Sequence, residues 1–312
     1  MNDYIILPDV TCDLGEEVRS FFGIRDYVHG RVYISDGRDI ETMLDWNAIS
    51  REEFYGALSD KRLKITSSPA SPEEYYRVFR SFAERGIDVL NLSLSSKISS
   101  TVSVASDAAR RVMEEFPERR VYILDSFRMS GAMGLLTMYA QNLQNEGKSM
   151  DEVIDWLENN KRRVHQMGPI DDLMFIARRG RISTGKAIFG SFAGVKPMGD
   201  CNSDGYVTII TKAKGIKKAL SLTVAYMKEA ATNIEDQYVL VVHSDREAYA
   251  NTLAEQIRQE LNPKKVFISD VFASSGTNIG PGMVGAYFLG DVVSDENVKE
   301  KEMMNRAIVA SR

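Results

Sequence analysis

Residues 88–116, "DVLNLSLSSKISSTVSVASDAARRVMEEF", decide the fold. The run "DVLNLSL" (88–94) is short and apolar, which reads as a buried strand, and "TVSVASDAARRVMEEF" (101–116) returns its apolar residues at helical spacing. Between and around them, "SLSSKISSTVSVA" (93–105) carries six serines and a threonine. That cluster is too short and too tightly flanked by apolar residues to be a solvated linker. It stands where a strand ends and a helix begins, the place at which open α/β sheets collect ligands, and where hydroxyls and free helix N–H groups converge on an anion.

The same alternation extends in both directions. "YIIL" (4–7) and "RVYILDS" (120–126) read as strands, and "SPEEYYRVFRSFAERG" (71–86) and "GAMGLLTMYAQNLQNEG" (131–147) as helices. Ser71, Pro72 and Glu74 form a capping box with proline at the first helical position, and Gly86 closes that helix. Strand-helix repetition of this kind predicts βαβ units and a mainly parallel sheet. "SMDEVIDWLENNKRRVHQM" (149–167), with Ser149 and Glu152 in the same box arrangement, predicts one long connecting helix.

After residue 169 the pattern resumes with the turn Ser203-Asp204-Gly205, the strands "YVLVVHS" (238–244) and "KVFISDVF" (265–272), and the helices at 214–233 and 246–261. The expected organisation is therefore a first α/β domain over 1–168, completed by part of the C-terminal segment, a second and smaller α/β domain over 169–290, and a polar tail over 291–312 that forms a frayed helix lying on the surface. The Gly-rich "GTNIGPG" (276–282) is expected to form a tight turn with free N–H groups.

Composition narrows the function. The chain has 312 residues, 44% hydrophobic, with a formal charge of −5 and no block of like charge, so a nucleic-acid footprint is not expected. Two cysteines, Cys12 and Cys201, stand far apart, arguing against a disulfide framework or a structural zinc site. The start "MNDYIILPDV" lacks the pattern of a signal peptide, and no apolar run approaches the roughly 20 residues needed to span a bilayer. A cytoplasmic protein without a membrane span is expected.

Placed catalytic groups are scarce. There is no GxSxG elbow, and His29, His165 and His243 stand in unrelated contexts, with His29 and His165 expected on the surface and His243 as a satisfied strand-end histidine. Asp9 and Asp13 in "LPDVTCDLG" read foremost as turn and cap residues, and Cys12 as a poor nucleophile without a basic neighbour. "GTNIGPG" lacks the Gly-Lys-Ser/Thr ending of a P-loop. The basic stretch "ARRGRIS" (177–183), continuing into Lys186, Lys196, Lys212, Lys214, Lys217 and Lys218, suits a solvated face or the docking of an acidic partner.

Taken in order, "TSSPASPEEYYRVF", "LSLSSKISSTVSVA", "VYILDSFRMSGAMGLL", "DDLMFIARRGRIS", "GVKP" and "GTNIGPGMVG" closely resemble the DegV family, which includes the fatty-acid-binding B subunits of bacterial fatty acid kinase. The resemblance implies a two-domain α/β fold: a parallel-sheet first domain, a smaller α/β second domain and a lipid tunnel between them. It implies that Thr66 and Ser99 bind the ligand carboxylate, with Ser67, Ser95, Ser96 and Thr101 close by. Asn278 stands where the family often has a histidine, while Arg181 and Lys214 map to residues that dock the kinase subunit. The sequence departs from the family at Lys97, Ser100 and Arg179, where glycine is usual.

The expected function is then that of a non-catalytic carrier, needing no metal or cofactor, that binds a long-chain fatty acid and presents its carboxylate to a kinase subunit making the acyl phosphate, with at most transient membrane contact. At about 0.8 kcal/mol per buried methylene, roughly fourteen of them supply on the order of 11 kcal/mol before ordering costs. Two alternatives stand beside it: an enzyme acting on a small carboxylate or acyl substrate through Ser99 or Asp9, and a binder of another hydrophobic acid that has no kinase partner.

Overall fold

The structure is a computed structural model that describes residues 4–182 and 194–311. Its first half runs β1 (Tyr4–Pro8), α1 (Glu16–Phe22), β2 (Gly30–Ile34), β3 (Asp39–Thr42), α2 (Arg51–Ser59), β4 (Ile65–Pro69), α3 (Pro72–Ala83), β5 (Asp88–Ser93), α4 (Thr101–Glu115), β6 (Val121–Asp125) and α5 (Gly131–Asn145). Then follow α6 (Met150–Asn160), β7 (Val164–Met167), α7 (Leu173–Arg178), β8 (Val195–Cys201), β9 (Val207–Lys214), α8 (Ile216–Ala230), β10 (Tyr238–His243), α9 (Glu247–Leu261), β11 (Lys265–Asp270), α10 (Ala273–Ile279), β12 (Val284–Leu289) and α11 (Val298–Ala310).

The expected parallel sheet is present, in the order β1-β5-β6 with Ile6 opposite Leu90 and Leu90 opposite Tyr122. A second sheet, β11-β10-β12-β7, is parallel at β10-β11 and antiparallel elsewhere. Helix α5 lies between the two sheets and is buried nearly all round, as its apolar sequence dictates. Its Ala132, Leu135 and Leu136 share one core with Leu90 and Leu124 on one side and Leu240 and Val242 on the other. The outer face of the first sheet is covered by α3 and α4, through Tyr75, Phe79, Ala105 and Val112. The outer face of the second is covered by α8 and α9.

Two smaller antiparallel sheets, β3-β2-β4 and β8-β9, stand beside the pair. Helix α10 packs against α2, β2 and β4 of the first half although it follows the strands of the second sheet.

Three expectations need correcting. The helix predicted over 149–167 ends at Asn160, and residues 164–167 form a strand because β12 offers them an unpaired edge. The expected boundary at 168 thus falls just after a strand of the second sheet. His165, expected on the surface of that helix, is fully buried. The tail forms the expected helix but is not frayed: α11 docks on α8 and β9, burying Met304 and Ala307.

Candidate functional site

The carboxyl ends of β1 and β5, the loop into α4, the end of β4 and helix α10 surround a cavity of about 400 Å³, whose opposite wall comes from β7, β8, β9, β12 and the segment around α7. Its position follows the rule for parallel sheets. Hydroxyls crowd one side, where Ser67, Ser68, Ser99, Thr101, Ser274 and Ser275 all reach the wall. Ile170, Ile176, Val207, Met283 and Val284 line the other side.

Ser99 and Thr101 are paired through their hydroxyls at 2.7 Å, and the Thr101 amide donates to Ser99 Oγ at 3.3 Å. This pair sits on the N-terminus of α4, whose first-turn N–H groups have no partner within the helix and whose dipole favours negative charge. Across the cavity Asn278, in the last turn of α10, donates from Nδ2 to Ser67 Oγ at 2.9 Å. Residues 276–279 are thus helical, and the glycine turn is confined to Gly280, Pro281 and Gly282, with φ of 75° and 98° at the two glycines.

Several sequence-predicted residues fall elsewhere. Thr66, expected to partner Ser99, is exposed and off the cavity wall. Along β4 it stands opposite exposed Tyr33, while Ser67 stands opposite buried Val32, so the strand's two-residue period gives the inward place to Ser67. Ser95 is buried off the wall, its hydroxyl accepting from the Lys97 amide, and Ser96 is exposed, its amide donating to Asp125. Lys214 is exposed at the end of β9. Arg181, expected to face a partner, lines the cavity half-buried and donates to the Arg179 carbonyl. Ser183 and Lys186 lie outside the described residues.

The acidic candidates resolve as cap and turn residues. Asp9 is buried on the cavity wall and accepts from the Thr11 amide, the Thr11 hydroxyl and the Leu94 amide, the last at 2.9 Å; burial pushes its carboxyl above the usual range. By holding Leu94 it fixes the end of β5 from which the serine loop departs. Asp13 is fully buried, accepts from Ser130 Oγ at 2.6 Å and from the Phe272 amide at 3.0 Å, and is pushed up to about 8 by desolvation. The Cys12 thiol is raised by burial, away from nucleophilic character.

Among the described residues no histidine is hydrogen-bonded to a Ser or Thr hydroxyl of the cavity wall. His29 reaches the wall at the mouth, with Nδ1 2.9 Å from Glu41. His243 is buried at the end of β10, and desolvation lowers its pKa. His165 points away from the cavity into a buried network, 3.0 Å from Asp200, with Nε2 donating to the Asp291 carbonyl at 2.9 Å. Burial opposes its imidazolium, but Asp200 and that carbonyl outweigh burial and raise its pKa. Among the described residues no group of His, Cys, Asp and Glu is arranged to hold a metal ion, and no helix is long and apolar enough to cross a membrane.

Sequence reasoning missed Ser274, Ser275, Ser130 and Gln166 on the wall. The first two were legible as small polar residues following the strand "KVFISDVF", but Gln166 was hidden by the helical reading of its segment.

The fold is mixed α/β, with a cavity between its sheets that is lined by hydroxyls on one side and largely by aliphatic side chains on the other. The chain belongs to the DegV family: the model of that family of uncharacterised proteins matches residues 5–291. A DegV domain-containing protein of Clostridium perfringens is 30% identical over 291 residues, covering 93% of this chain and 99% of that one. Among solved structures, a DegV family protein of Thermus thermophilus described by its fatty acid binding is 27% identical with a TM-score of 0.82, covering 92% and 99% of the two chains. A DegV lipid-binding protein of Thermotoga maritima shares the fold with a TM-score of 0.80 at 23% identity, covering 94% and 99%.

Proposed function

We propose that this chain binds a long-chain fatty acid in the cavity and carries it without transforming it. The observation that supports this reading best is the division of the cavity wall, hydroxyls and the α4 N-terminus on one side and aliphatic side chains on the other. Ser99, Thr101, Ser67 and Asn278 are the groups assigned to the carboxylate. A buried carboxylate needs several hydrogen bonds in place of water, and these residues offer them without a full counter-charge. The fatty acid binding described for the Thermus thermophilus relative, at 27% identity, points the same way. With no base placed against a hydroxyl, an enzyme working through Ser99 has less to support it.

We further propose that the carboxylate is presented to a fatty acid kinase subunit, with Lys214 as a docking residue. Arg181 is the less secure of the two expected docking residues, because it stands on the cavity wall. That position favours a second reading, a carrier without a kinase partner.

Extraction of the purified chain followed by mass spectrometry tests the main claim. A stoichiometric long-chain acid is expected, and absence of any bound or bindable fatty acid at micromolar concentration overturns it. Ser67→Ala combined with Ser99→Ala is expected to weaken binding by about 1.5–3 kcal/mol per hydrogen bond lost to the charged group. Lys214→Ala is expected to leave lipid binding unchanged and to reduce acyl phosphate formation by a purified kinase subunit. No acyl phosphate with lipid-loaded parent protein favours the kinase-free carrier.

A further inference from the structure

The aliphatic side of the cavity contains one amide. Gln166 lies on β7 between His165 and Met167, which point into the core behind the sheet, so the two-residue period turns Gln166 toward the cavity. Its backbone N–H is spoken for, donating to Asp200 at 3.0 Å. Its side chain makes no hydrogen bond to any described residue, and Oε1 is buried without a partner. Tyr287 stands directly opposite it on the same face of the sheet and Arg181 also lines the cavity, but neither bonds to its Oε1, and Ile170, Ile176, Val207 and Val284 offer no partner. Buried side-chain amides are nearly always hydrogen-bonded, and an orphaned one in a largely aliphatic wall calls for a partner supplied by what fills the space.

We propose that the cavity takes an acyl chain bearing a hydrogen-bonding substituent, a hydroxyl or an oxo group, remote from its carboxylate, and that Gln166 reads it. This rests on the fatty-acid reading above and narrows its ligand class. A carboxamide suits both substituents, since Oε1 accepts from a hydroxyl and Nε2 donates to a carbonyl. A saturated or merely unsaturated chain leaves the amide unpaired and bears that penalty in affinity. The buried hydroxyl of Tyr75, also on the wall and also without a partner, gives the first half of the fold a second unpaired group of the same kind.

The test uses the full chain, stripped of lipid, and measures binding of octadecanoic acid against a series of octadecanoic acids carrying one hydroxyl at successive positions. At one or two adjacent positions the hydroxylated acid is expected to bind about tenfold more tightly than the parent acid. Gln166→Met is expected to erase that advantage and to bind unsubstituted octadecanoic acid at least as well as before, its thermal melt showing that the fold is kept. An oxygenated acid in the lipid extracted from the parent protein supports the proposal independently of the variant. Equal binding of all the acids by the parent protein overturns it, since water then satisfies the amide, as does an advantage that survives in Gln166→Met. If neither kind of acid binds the parent protein, the fatty-acid reading itself fails and this inference with it.

Discussion

Asp13 shows how much one residue can cost. It holds φ of 52° at the end of a 3-10 turn, is fully buried, and ties two elements together through Ser130 and the Phe272 amide. Its folded pKa of about 8 lies above that of an unfolded aspartate, so the group favours folding below the ordinary carboxylate range, and the favour is lost as pH rises toward 8. Stability measured by urea unfolding is therefore expected to fall across that window in the parent protein. Asp13→Asn keeps an acceptor for the Phe272 amide, turns Ser130 Oγ from donor to acceptor, and should flatten the slope. An unchanged slope in the variant would mean that Asp13 is ionised in the fold.

At the scale of elements, packing explains what pattern alone did not. Both capping boxes were legible and both form, Glu74 with Ser71 and Glu152 with Ser149. Strand β7 was not, because "KRRVHQM" carries its charges ahead of the strand and its apolar residues alternate over only four positions. Pairing with a distant strand decided it. The error at Thr66 is of another kind: a motif can be matched correctly while the phase of a strand, which assigns neighbours to opposite faces, is settled only by its partner. Helix α5 makes its own demand, since a Cβ on Gly134 would collide with the Cys12 carbonyl and Leu14. Gly134→Ala is expected to cost about 1–3 kcal/mol, read as a lower thermal midpoint, by pushing α5 off the loop that carries Asp13.

Across the whole molecule, the parallel sheet and the hydroxyl loop could be read from sequence, but the aliphatic wall could not, because its strands converge only once both sheets clasp α5. The C-terminal segment braces that wall from behind. Asn297 donates to the Cys201 carbonyl at 2.9 Å and accepts from Thr208, the strand neighbour of cavity residue Val207. Asn297→Ala is expected to lower stability by about 1–3 kcal/mol and to speed release of bound lipid. An off-rate equal to that of the parent protein, with the melt lowered, would show the wall indifferent to its brace.

The paired hydroxyls at the cavity carry a last consequence. Ser99 already bonds to Thr101 and Ser67 to Asn278, so the head of the site is content when no ligand is there. An arriving carboxylate can still accept from the hydroxyl protons these pairs leave free, since Ser67 accepts from Asn278 and one hydroxyl of the Ser99–Thr101 pair accepts from the other. Short acids such as acetate, having only a head to offer, are expected to bind far more weakly than long-chain acids. On the proposed reading the acyl tail supplies most of the affinity, and binding is expected to rise steeply with chain length.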